Sequence, residues 1–186
     1  MLRIISPHEF REFPWKNGQG STIELAINSG GTAENFDWRL SIATIANNGP
    51  FSNFSGYTRD QVLLSGNGMR LVHDNNTADQ FNRPFDKARY SGDSQTVATL
   101  VDGPVTAFNL ITHSDRIQAN LAVLDEANEL VLPQAEQLFI YAPDSPIHLS
   151  CSSTSVPAGY LISIDQCTTP TTVTGKQFIL ISLDSR

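Results

Sequence analysis

Apolar and polar residues alternate in one short segment after another along this chain, and that periodicity restricts the fold more than any other feature. In residues 22–27, Ile23, Leu25 and Ile27 share one face while Thr22, Glu24 and Ala26 share the other, which is the period-two signature of a half-buried strand. Residues 36–45 repeat it, with Phe36, Trp38, Leu40 and Ile42 opposed to Asp37, Arg39, Ser41 and Ala43. Further strand-like segments follow at 97–100, 105–112, 117–124, 130–132, 137–141, 147–151, 160–164 and 177–183, punctuated by Gly, Pro, Asn and Asp. Strands so spaced, with little helical periodicity between them, predict an all-β sandwich or barrel and argue against βαβ units.

Local signals add detail. Ser6, Pro7 and Glu9 match a capping box with proline at the first helical position, predicting a short N-terminal helix over residues 7–12 that Pro14 ends. Residues 61–64 and 69–73 flank the turn Ser65-Gly66-Asn67-Gly68 and read as a hairpin. The polar stretch 74–95, with Asn82, Pro84 and Gly92, reads as a loop that has room for one short irregular strand. The segment 61–72 is echoed at 137–150, which suits two duplicated β-halves, roughly 1–125 and 126–186, sharing one compact unit over 1–186. No Pro-, Gly- or Ser-rich linker divides them.

Charge narrows the function classes. Twelve basic against nineteen acidic residues give a formal charge of -7 and a pI near 4.9, which repels nucleic-acid backbones and anionic lipid at long range. No apolar run is long enough to span a membrane as a helix, and the start, which carries the acidic Glu9 and Glu12 and Pro7, lacks a secretory leader's pattern. Cys151 and Cys167 then read as two small core residues in a reducing compartment, so a cytoplasmic protein is expected.

Two places offer chemistry. In residues 14–20, Lys16, Asn17 and two glycines precede the first alternating strand; they could bring charge and amide groups to a ligand, or only reverse the chain. The polar face of 37–43 carries Arg39 and Ser41, which would meet solvent on an open sheet but would line a cavity if that face turned inward. Arg39 would there present a fixed fork to a carboxylate, with Glu24 as its counter-charge or a general base. His8, His73, His113 and His148 show neither HxH nor HExxH spacing, so no metal is expected, and no P-loop or GxSxG nucleophile motif occurs.

At these residues the chain resembles the HutD/Ves family. PWKNGQGST at 14–22, Glu24, FDWRLSIA at 36–43, GPFSNFSGYTR at 49–59, LLSGNGMRL at 63–71 and DGPVTAFNLITH at 102–113 follow its pattern in order. Gln19 departs from it where many members have a third glycine, and beyond residue 125 only a generic pattern such as VPAGYLISID at 156–165 remains. The resemblance implies a cupin-like double-stranded β-helix barrel, bicupin-like, with a metal-free pocket and no cofactor. For HutD members it implies association with histidine utilisation and a breakdown intermediate of the urocanate or formylglutamate type; for Ves members, a stress-related protein. It implies ligand-binding roles for Lys16, Asn17, Glu24 and Arg39, and with them Ser41, Arg59 and Asn109. The expected partner is a small carboxylate or polar metabolite, with neither nucleic acid nor membrane, and a homodimer is compatible with the sequence. The alternative is a cofactor-free isomerase or lyase acting on a small acid with Glu24 as base.

Overall fold

The computed structural model describes residues 1–15, 20–152, 155–167 and 170–186, the side chains of 125–128 excepted. Among them the chain runs β1 (Leu2–Ile5), a 3-10 turn (Pro7–Glu9), β2 (Arg11–Pro14), β3 (Gly20–Ile27), β4 (Trp38–Ile45), β5 (Gly49–Pro50), β6 (Tyr57–Ser65), β7 (Met69–His73), β8 (Thr77–Phe81), β9 (Lys87–Ser91), β10 (Thr96–Leu100), β11 (Val105–His113), β12 (Ile117–Val131), β13 (Gln137–Tyr141), β14 (His148–Leu149), β15 (Leu161–Asp165) and β16 (Thr172–Ser185). The fold is all-β, as the alternation predicts, and no helix among the described residues is long and apolar enough to cross a membrane.

The chain divides into two units, one of residues 1–9 with 117–186 and the other of residues 10–116. The first is one antiparallel sheet in the order β1-β15-β13-β16-β12, with β14 paired to β16. Leu138, Ile140, Ile162, Phe178 and Leu180 form the centre of its core. The second has two antiparallel sheets, β2-β3-β4-β11-β6-β9 and β5-β10-β7-β8. Between them pack Ala43, Ile45, Leu63 and Ala107 from the larger sheet and Met69, Leu71, Phe81 and Ala98 from the smaller. Removing each large apolar side chain of this set from water contributes about 1.5–3 kcal/mol.

The strands β6 and β7, read above as a hairpin, do not pair with each other. β6 lies between β11 and β9 in one sheet, and β7 between β10 and β8 in the other. The intervening turn therefore passes the chain from one sheet to the next. Gly66 and Gly68 have φ of 102° and 114°, angles that a Cβ strongly disfavours. Its echo is likewise no hairpin, since β13 pairs with β15 and β16 while β14 pairs with β16.

Three further expectations are corrected. The helix over 7–12 is a single 3-10 turn: Glu9 accepts the Ser6 N–H at 3.0 Å and returns its own N–H to Ser6 O, after which Arg11–Pro14 pairs with β3 and cannot continue a helix. The stretch 74–95 holds β8 and β9, in which Phe81 and Tyr90 are buried and most of the polar residues are exposed. Cys151 is exposed, and only Cys167 is a core thiol.

Candidate functional site

The inward face of the larger sheet in the 10–116 unit is apolar at one end and polar at the other. Registers across β3, β4, β11 and β6 align Glu24, Ser41, Asn109 and Gln61 in one cross-strand row. Two residues along, a second row on the same face aligns Ile27, Arg39, Ile111, Arg59 and Tyr90. Arg39, Ser41, Arg59, Gln61, Asn109 and Ile111 of these rows, with Phe13, Trp15, Phe51 and Phe54, border a cavity of about 560 Å³, a size that accommodates a small metabolite.

A bulge places Glu24. Between Glu24 and Ala26 the β3–β4 register shifts by one residue, so Glu24 stands beside Ser41 while Ala26 falls opposite Leu40 and Ile27 opposite Arg39. Simple alternation puts Glu24 and Ala26 on one face; the extra residue separates them. The Glu24 carboxylate thereby reaches Arg39, whose Nε donates to Oε2 at 2.7 Å with both side chains about one-tenth exposed (11% and 10%). This pair is internally neutral.

Arg59 is different. It is 7% exposed, and among the described residues no carboxylate pairs with it. Its Nη1 donates to Ser52 O at 3.3 Å and its Nη2 to Asn109 Oδ1 at 3.4 Å, both long, and its Nε meets no acceptor. The rings of Phe51, Phe54 and Tyr90 lie 5.3, 5.4 and 5.2 Å from its Cζ. Burial pushes the guanidinium below its ordinary pKa while the neighbouring Tyr90 opposes this, but an arginine starts so high that it stays charged.

Tyr90 is itself held from behind. Its hydroxyl donates to Gln61 Oε1 at 2.8 Å, and burial raises its phenol to about 12. The His73 ring packs 4.5 Å from the Tyr90 ring, with His73 Nδ1 at 2.9 Å from Thr96 Oγ1 and Nε2 at 3.0 Å from Asp79 Oδ2. Among the described residues no group of three His, Cys, Asp or Glu side chains converges on a common point.

Of the residues singled out in the sequence, Arg39, Ser41, Arg59 and Asn109 line the cavity together, with Glu24 joined to it through Arg39. Lys16 and Asn17 lie outside the described residues, although Trp15 beside them lines the cavity. Gln61 and Tyr90 were missed. The signal for Gln61 lay in the alternation of β6, which extends back to Tyr57 and puts Arg59, Gln61 and Leu63 on one face.

The model of the HutD family matches residues 7–181. An uncharacterised 21.2 kDa protein in the hutC 3' region of Pseudomonas putida is 36% identical over 83% of this chain and 80% of its own length. Protein Ves of Citrobacter koseri is 37% identical over 63% of this chain and 62% of its own. Among solved structures, HutD from Pseudomonas fluorescens SBW25, obtained in a formate condition, superposes with a TM-score of 0.88 at 30% identity over the whole of both chains.

Proposed function

This chain belongs to the HutD family, with its cupin-like fold, and from that premise we propose that it binds a small carboxylate metabolite in the cavity of its 10–116 unit, without a metal and in a regulatory role. The observation that carries the reading is Arg59, a buried cation with no carboxylate partner among the described residues. Burying an unpaired charge costs several kcal/mol. Three aromatic neighbours return roughly 0.5–2 kcal/mol each, and two long hydrogen bonds little more. A ligand carboxylate brought to the guanidinium from the cavity that Arg59 lines supplies the counter-charge and a charge-assisted hydrogen bond.

The location of the P. putida relative beside hutC supports a histidine-degradation intermediate of the urocanate or formylglutamate type as the ligand. Sequestering or sensing such a metabolite is the regulatory consequence. The catalytic alternative has less support. Glu24, its general base, is held at 2.7 Å by Arg39 and does not border the cavity.

Calorimetry with urocanate, formylglutamate and formate tests the proposal. Saturable binding of at least one, with a matching rise in melting temperature, is expected. Absence of binding by all three sinks it.

A further inference from the structure

The pocket contains a second orphan donor. Gln61 is 1% exposed, borders the cavity, and its Nε2 meets no acceptor among the described residues. Which end of this amide is left without a partner is decided by Tyr90. With its pKa near 12 the phenol keeps its proton, and a buried hydroxyl proton needs an acceptor. Gln61 Oε1 provides it at 2.8 Å. Were the amide reversed, Nε2 would donate to Tyr90 Oη and the phenolic proton would be left without that acceptor. The amide is therefore fixed with its N–H₂ as the group left over.

Arg59 and Gln61 occupy positions i and i+2 of β6, on one face and about 6.6–7 Å apart along the strand. Arg59 offers a charged donor edge and Gln61 a neutral one, while Gln61's own acceptor is already engaged. From this pairing we infer that the ligand is bifunctional: a carboxylate on Arg59 and, a short chain away, an uncharged hydrogen-bond acceptor of carbonyl type on Gln61 Nε2. An alkyl group there leaves the amide N–H unsatisfied, which a polar subsite penalises heavily. Gln61 is thus a specificity-determining residue. The inference rests on the carboxylate reading of Arg59 and adds the chemistry of the ligand's other end.

The experiment is an NMR titration of the full chain with 4-oxopentanoate and 5-oxohexanoate, each against the straight-chain acid of equal length, on the wild type, Gln61→Leu and Gln61→Glu. At least one oxo acid is expected to bind about ten-fold more tightly than its alkyl counterpart in the wild type. The preference shrinks to within about two-fold in both variants. Gln61→Glu keeps an acceptor for Tyr90 while removing the N–H donor, and because its new carboxylate near Arg59 weakens all four acids alike, the oxo-to-alkyl ratio gives the reading even where Gln61→Leu fails to fold. Equal affinity for oxo and alkyl acids in the wild type overturns the assignment of Gln61 and leaves Arg59 as a carboxylate site. A preference that survives in Gln61→Glu likewise overturns it. If none of the four acids binds, the carboxylate reading of the pocket falls, and this inference with it.

Discussion

Arg39 and Arg59 stand in the same cross-strand row of one sheet, separated only by Ile111, yet their electrostatic situations are opposite. Arg39 has the Glu24 carboxylate at 2.7 Å, whereas Arg59 has aromatic rings and two long hydrogen bonds. Two buried cations thus leave one net positive charge, and its position follows from which arginine the β3 bulge supplies with an acid.

Replacing Arg59 separates stability from function. Arg59→Met removes an uncompensated buried charge and keeps apolar bulk, and such exchanges are often neutral or stabilising by about 1–4 kcal/mol. The lost contacts with three rings pull the other way by roughly 0.5–2 kcal/mol each. The expected outcome is a ligand-free melting temperature that does not fall, together with loss of any carboxylate-induced shift. Differential scanning fluorimetry with and without formate reads both. A variant that melts well below the wild type and still responds to formate contradicts the assignment.

Glu24→Gln acts in the reverse sense. It leaves Arg39 charged and buried without its acid, which costs about 3 kcal/mol in comparable pairs, so chemical denaturation should show a marked loss. It also puts a second free cation about 10 Å from Arg59, two strand spacings away. Binding of a dicarboxylate such as glutarate, relative to a monocarboxylate, should then rise about ten-fold. An unchanged ratio by calorimetry means that Arg39 does not face the ligand.

How much of this was readable beforehand follows from particular residues. The alternation of Trp38 to Ala43 identified both faces of β4, and the inward turn of Arg39 and Ser41 needed only a closed sheet to become a cavity wall. The Glu24–Arg39 pair was legible as complementary charge, but the bulge that aligns it was not, because an extra residue in one strand leaves no trace in a hydrophobic pattern. Gln61 escaped because a single polar residue beside Val62 and Leu63 looks like a strand edge. The sheet-to-sheet passage at 65–68 was mistaken for a hairpin because glycines serve both turns equally well, and pairing partners are fixed by distant strands.

That passage gives a backbone prediction. At Gly68, with φ of 114°, an added Cβ would press on the carbonyl oxygen of Phe81 at 2.5 Å, a backbone atom in a paired strand that cannot move aside cheaply. Gly68→Ala should therefore cost about 2 kcal/mol or more from strain and contact together. Equilibrium urea unfolding measures it, and Gly103→Ala serves as comparison, since nothing lies within 4 Å of its added Cβ although its φ is also positive at 75°. Equal losses at the two sites would show that the Phe81 contact is relieved at no cost.

The last prediction concerns Asp60, on the face of β6 opposite Arg59 and Gln61. Burial lifts its carboxyl from 3.8 to about 6, against the pull of Arg89 and Lys87, and the Arg89 Nη2 approaches no closer than 3.5 Å. Because the folded-state value lies above the unfolded one, the native state holds this proton more tightly than the unfolded chain does. The associated stability is fully present below about pH 4 and is lost as the pH rises from there through about 6. Over that window the loss amounts to roughly 3 kcal/mol at most. Asp60→Asn keeps the shape without the charge. Its melting temperature should exceed that of the wild type at pH 8, and the gap should close as the pH falls from 6 towards 4. A gap that stays constant across that range would mean that Asp60 does not titrate there, and that Arg89 compensates its charge even at 3.5 Å.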